Sequence, residues 1–121
     1  MFDWIVCSDL QSLPDVEIQS HQPHYITAKL HERIVINCTI TSIESTGKVE
    51  WKYNDRTLTS SDSEVISNMY KHESCSLIST ITINNFTTAN EGLYTCNASQ
   101  PHRNYRSDSV YVLRGKNMIV T

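Results

Sequence analysis

The sequence predicts an all-β domain folded as a two-sheet sandwich, and three observations carry that prediction. Apolar residues recur at every second position in short runs separated by turn residues, the signature of half-buried strands. Ser, Thr, Ile and Val are plentiful, while Gly and Pro number only three each, a balance that favours strands over helices or disorder. The 121 residues are enough for one core that buries roughly two thirds of the surface the unfolded chain would expose.

The elements follow in order. Residues 1–15 show no period, although Phe2, Trp4, Ile5 and Val6 are apolar enough to pack on something; they read as a leader that docks on the domain or forms a junction. Period-two alternation begins with Val16 and Ile18. It resumes after Pro23 with Ile26, Ala28 and Leu30, then with Ile34, Ile36 and Cys38. A turn at "ESTGK" leads to Val49 and Trp51, and "NDRT" marks the next turn, with polar, loop-like residues over 55–63. Val65, Ser67 and Met69 give a short strand, and Leu77, Ser79, Ile81 and Ile83 a longer one. A turn through "NNFTTANEG" precedes Leu93 to Ala98, and Val110 and Val112 close the set after the polar loop "SQPHRNYRS". Eight short strands without helical period, repeat or low-complexity stretch indicate two packed sheets, with the domain over 16–114 and a linker over 115–121.

Charge and motifs exclude several function classes. Net charge is −3 with scattered basic residues, which lacks the electrostatic footprint of a nucleic-acid or anionic-membrane binder. No His-Glu-x-x-His, Gly-x-Ser-x-Gly or phosphate-cradling glycine loop occurs, so neither an enzyme nor a cofactor is expected. His21 and His24 in "HQPH" lack a third ligand for zinc, and Asp and Glu fall on turns and outward positions, where solvated charge is the ordinary explanation. No run approaches the roughly 18 apolar residues of a membrane span, and "MFDWIVCSDL" lacks the basic start and apolar stretch of a signal peptide. The chain therefore reads as a piece of a longer secreted or membrane-anchored protein. Four cysteines and three Asn-x-Ser/Thr sites, at Asn37, Asn85 and Asn97, point to an oxidising extracellular route with disulfides and glycans.

One constellation is more specific. Cys38 falls in "RIVINCTI", Trp51 follows thirteen positions later in "KVEWKY", and Cys96 closes "NEGLYTC" two residues after Tyr94. The pattern resembles the immunoglobulin superfamily, in which the cysteine of strand B bonds to that of strand F across the core and the strand C tryptophan packs on the bridge. The resemblance covers about residues 16–114 and implies a Cys38–Cys96 bridge, with Trp51 and Tyr94 in the core. That bridge would contribute roughly 4 kcal/mol in the chain-entropy model. Tyr94 matches the family's tyrosine corner, its hydroxyl bonding backbone upstream, and Gly92 permits the tight backbone there. Glu91 stands where the family more often has Asp. His31 stands where a turn glycine is usual, which asks for an ordinary backbone conformation. "INCTI", "EWKYN" and "STITINNFTTANEGLYTCNAS" are similar to intermediate-set domains of VEGF- and PDGF-type receptor tyrosine kinases and of adhesion receptors.

With Cys38 and Cys96 so assigned, Cys7 and Cys75 remain to pair if all four are bridged within one chain. The resemblance implies that the segment before the first strand and the head of the strand at Leu77 lie at the same end of the same sheet, and Cys75 shares the inward parity of Ile81, so a Cα separation of about 5.5 Å is attainable. The alternative is that Cys7 pairs with a neighbouring domain and leaves Cys75 a buried thiol; a metal site has no supporting spacing.

The resemblance implies an extracellular protein-binding or adhesion module of a cell-surface receptor, holding a protein ligand or supporting ectodomain geometry. A soluble secreted binding protein that sequesters a cytokine or growth factor is the alternative. Asn37 and Asn97 neighbour inward cysteines and so face out from opposite sheets, where sugars would shield both broad faces; the cysteine in the Asn37 sequon argues against its use. On that basis Arg103, Tyr105 and Arg106, residue types enriched at binding hot spots, are expected to contribute more to ligand contact than face residues.

Overall fold

The computed structural model describes residues 7, 13–20, 24–61, 64–100 and 106–115. Among the described residues nine strands form two sheets: β1 (Asp15–Ile18), β2 (Tyr25–Ala28), β3 (Ile34–Thr41), β4 (Lys48–Tyr53), β5 (Arg56–Thr57), β6 (Glu64–Lys71), β7 (Ser76–Ile83), β8 (Gly92–Ser99) and β9 (Arg106–Arg114). One sheet has four strands in the order β1-β3-β7-β6; the other has five, β2-β9-β8-β4-β5. The all-β sandwich expected from the alternation is what forms. The Cys38–Cys96 disulfide joins β3 to β8, and hence the two sheets, with a Cα separation of 6.5 Å.

The core follows directly from strand parity. Ile34, Ile36, Cys38 and Ile40 face inward from β3, and Leu77, Ser79, Ile81 and Ile83 from β7. Trp51, Tyr94, Cys96, Val110 and Val112 meet them from the other sheet, so both inner faces supply one apolar layer. Trp51 is 1% exposed and lies opposite Cys96 in the register. Burial of a side chain of this size contributes on the order of 2–3 kcal/mol.

The first two strands sit in different sheets. β1 runs antiparallel to β3, whereas β2 runs parallel to β9. Asp108 secures the crossing: from its inward position on β9 its Oδ2 accepts the Ile18 N–H at 2.7 Å. Closure of the far sheet depends on an Asn54–Asp55 turn between β4 and β5, with φ of +48° and +68°. Two consecutive left-handed residues make the two-residue hairpin whose twist matches the strands, and Asn and Asp tolerate that region better than other side chains.

Four expectations need correction. Residues 55–63 are not wholly loop, because Arg56 and Thr57 add β5 to the edge of β4. The strand at 64–71 is eight residues long, and its parity places Val65 and Met69 outward, 44% and 62% exposed, while Ile66 and Tyr70 pack on the core. Leu30 lies beyond the end of β2 and is exposed. His31 adopts φ +69°, because the turn from Lys29 to Glu32, closed by Glu32 N–H to the Lys29 carbonyl at 3.1 Å, needs a left-handed residue at its third position. Two acidic residues also depart from the outward rule: Asp108, as above, and Glu44, which is buried with its N–H donated to Gln100 Oε1 at 2.7 Å.

β6 is an edge strand, and its open side is partly covered. Ser60 Oγ accepts the Ile66 N–H at 2.9 Å, and Ser61 donates its N–H to the Glu64 carbonyl at 2.6 Å. Edge groups satisfied in this way are closed to pairing with another chain. Among the described residues no helix is long and apolar enough to cross a membrane.

Candidate functional site

Two surfaces present themselves for contact, one at an end of the sandwich and one on a face. The end carries the turn between β3 and β4, the turn between β6 and β7, and the loop between β8 and β9. The structure pairs Cys7 with Cys75 there, at a Cα separation of 5.4 Å. Both cysteines are buried, and Cys75 takes φ +49° at the end of the turn that precedes β7. The bridge gathers a third segment as well: Ile43 N–H donates to the Cys75 carbonyl at 2.9 Å, and Ser45 N–H to the Cys7 carbonyl at 2.8 Å. Tyr70 adds its hydroxyl to the Ile43 carbonyl at 2.8 Å. Burial raises the Tyr70 phenol above its ordinary range, with the Glu44 carboxylate adding in the same direction.

Of the residues expected to bind, one is described. Arg103 and Tyr105 lie outside the described residues; Arg106 begins β9 and is exposed. His21 also lies outside them, and His24 is exposed beside β2. No group of three or more His, Cys, Asp or Glu placed to hold a metal ion occurs among the described residues.

The face is the outer side of the five-stranded sheet. Parity turns Tyr25 and Thr27 outward from β2, Tyr111 and Leu113 from β9, and Leu93 from β8. The registers align them: Tyr25 is opposite Tyr111, which is opposite Leu93, so three large side chains form one row across three strands. Leu113 stands beside the row, opposite Thr27. Tyr111 is 51% exposed, Leu113 41% and Tyr25 38%. Further across, Lys48, Glu50 and Lys52 on β4 provide mixed charge. Sequence reading missed this row because each residue alone is an ordinary strand former. Only the parallel pairing of β2 with β9 brings Tyr25 to Tyr111.

The sequons fall at three different places. Asn37 is half-buried on the outer face of the four-stranded sheet, where its Oδ1 accepts the Thr80 hydroxyl at 2.8 Å. Asn97 is half-buried on the five-stranded sheet between Glu50 and Ser107, with its Oδ1 enclosed and without a hydrogen-bond partner. Asn85 is exposed in the turn after β7, at the opposite end from the Cys7–Cys75 bridge.

Below that turn, Tyr94 donates its hydroxyl to the Asn90 carbonyl at 2.8 Å, the local bond that fixes a tyrosine corner. Tyr53 packs on its ring at 5.0 Å and donates to the Glu91 carbonyl. Burial pushes the Tyr94 phenol well above its ordinary value, and Glu64 and Tyr53 push it further.

Comparison with known proteins agrees with this geometry. A profile of the family described as "Immunoglobulin domain" matches residues 24–109. No curated protein sequence matches the chain. Among solved structures, Dpr2 Ig1-Ig2 in complex with DIP-Theta Ig1-Ig3 is similar over 84% of this chain and 32% of that one, at 17% identity and TM-score 0.73. The Dscam1 Ig7 domain, isoform 9, is similar over 84% of this chain and 99% of its own, at 13% identity and TM-score 0.67. The N-terminal Ig1-2 module of the Drosophila receptor protein tyrosine phosphatase DLAR is similar over 89% and 52%, at 11% identity and TM-score 0.67. The chain thus spans about a third of the Dpr2 structure it matches.

Proposed function

This chain belongs to the immunoglobulin domain family, and from that premise we propose that it is a protein-binding module of a cell-surface receptor ectodomain that recognises an immunoglobulin-type domain of another protein through its five-stranded sheet. The observation that carries the reading is the in-register row Tyr25, Tyr111 and Leu93, with Leu113 beside it. Aromatic and aliphatic side chains on a flat, rigid sheet offer contact area at low entropic cost, and aromatic residues are enriched where binding energy concentrates. The mixed charges of Lys48, Glu50 and Lys52 supply a polar rim on one side. The similarity to Dpr2, whose structure is a complex between immunoglobulin-domain proteins, supports a partner of that kind.

Arg103, Tyr105 and Arg106 form a second candidate contact, favoured by the exposure of Arg106 where β9 leaves the loop. Binding of the secreted domain to an array of immunoglobulin-domain ectodomains separates the two. Tyr25→Ala with Tyr111→Ala is expected to weaken binding by tenfold or more. The triple alanine substitution at 103, 105 and 106 is expected to do less. Unchanged affinity in the tyrosine pair, with loss in the triple, overturns the face in favour of the loop. The full open reading frame tests the receptor assignment, since a soluble secreted binder lacks a membrane span.

A further inference from the structure

We infer that Asn85 is the residue that carries the N-linked glycan of this domain, and that Asn37 and Asn97 remain unmodified, leaving both sheet faces bare. The inference rests on the extracellular reading and assigns one modification site among three sequons.

An N-linked sugar needs its amide nitrogen aimed into open solvent. Asn85 meets that need through its two flanks. Phe86, the middle residue of its sequon, is fully buried, and its backbone is held from both sides: His31 N–H donates to the Phe86 carbonyl at 2.7 Å, and Phe86 N–H to the Glu32 carbonyl at 2.9 Å. With Phe86 pinned inward, Asn85 is exposed on the turn. His31 Nδ1 lies 3.0 Å from Asn85 Oδ1. An amide oxygen only accepts, so the ring nitrogen donates, and the amide is oriented with Nδ2 left for the sugar. His31 itself sits at a left-handed φ of +69° in the turn before β3.

The other two asparagines are differently placed. Asn37 is half-buried on β3 between two neighbouring strands, and the middle residue of its sequon is Cys38, joined to Cys96 across the core. Asn97 is half-buried on the inner strand β8, its amide oxygen enclosed between β4 and β9. Both are half-buried within a sheet, whereas Asn85 is exposed on a turn.

The test is to secrete the domain from a eukaryotic cell line, treat it with peptide N-glycosidase in heavy-oxygen water, and map converted asparagines by mass spectrometry. Conversion at Asn85 alone is expected. Asn85→Asp, which keeps the oxygen acceptor for His31, is expected to be secreted without sugar. Secreted, disulfide-bonded protein that shows no conversion at Asn85 overturns the inference and leaves the extracellular reading standing, as does major conversion at Asn37 or Asn97. Failure of the chain to enter the secretory route or to oxidise its four cysteines overturns both.

Discussion

Trp51 donates its indole N–H to Ser79 Oγ at 2.7 Å, and Ser79 in turn donates to Asn68 Oδ1 at 2.6 Å. Three residues on β4, β7 and β6 thereby form a polar thread that runs from the buried Trp51 and Ser79 out to the exposed Asn68 on the edge strand. Ser79 is opposite Cys38 in the register, and Trp51 opposite Cys96, so the thread runs alongside the inter-sheet disulfide. Its worth lies in what its loss would expose: an indole N–H has no acceptor among the surrounding isoleucines.

Ser79→Ala is therefore expected to destabilise the domain by about 1–3 kcal/mol, because it strands a buried donor while creating almost no cavity. Urea unfolding measures this. Adding Trp51→Phe, which removes the donor, should cost less in the Ser79→Ala background than in the wild type, with a coupling of roughly 0.5–3 kcal/mol. Strict additivity would show that the bond carries no net energy.

The presence of a sandwich was legible in the alternation, because the buried face of each strand repeats at the period of the backbone itself. Cys38, Trp51, Tyr94 and Cys96 could be placed for the same reason. The thread was half visible: Ser79 is the polar member of the inward series Leu77, Ser79, Ile81, Ile83, and a polar residue at a core position demands a partner. Its partners were not legible, since Trp51 and Asn68 belong to other strands. β6 misled because Val65 and Met69 look like core residues and lie on the solvent face, while Tyr70 looks amphipathic and tucks its ring inward. His31 misled because a turn closed by Glu32 on Lys29 and held in place by tertiary bonds to Phe86 overrides the preference of a single residue.

Removal of the second bridge by Cys7→Ser with Cys75→Ser should cost about 2–5 kcal/mol, since the closed loop spans 68 positions. Local consequences separate this from a merely global loss. Amide exchange at Ile43 and Ser45, whose N–H groups bond to the two cysteine carbonyls, should accelerate more than exchange at Ile36 or Ile81. Equal acceleration everywhere would argue that the bridge does not organise the end.

Asp55→Gly should raise stability by up to about 1 kcal/mol, because the second position of this turn is left-handed and Asn-Gly is the favoured pair there. Gly92→Ala should act in the opposite direction by about 1–3 kcal/mol. Gly92 has φ +153°, and a Cβ would lie 2.8 Å from both Asn54 Oδ1 and Tyr53 Cε1. Thermal unfolding of the two variants provides the comparison, and a shift of the same sign in both would refute this account of the hairpin.

Alkaline stability should depend on Tyr94. Its folded-state phenol titrates above the ordinary value of 10.0, so its contribution is fully present below that pH and is lost as pH rises towards the folded value. The melting temperature is expected to decline above about pH 10, where unfolded tyrosine releases its proton. In Tyr94→Phe the decline should be shallower, from a lower starting stability. Identical slopes would mean that other groups govern the alkaline limb.

The Cys7–Cys75 bridge also decides how the domain would carry tension. A pull applied on either side of the domain enters at Cys7 and passes through the bridge to the head of β7, bypassing the chain of β1 to β6, which hangs inside a closed covalent loop. The second loop, closed by Cys38 and Cys96, interlocks with the first. Even with every hydrogen bond broken, the strands between the bridges could not be drawn out to full contour length. The two bridges thus take β1 to β6 out of the load path, while β9, which follows Cys96 and carries Tyr111, is held under load by its sheet contacts alone.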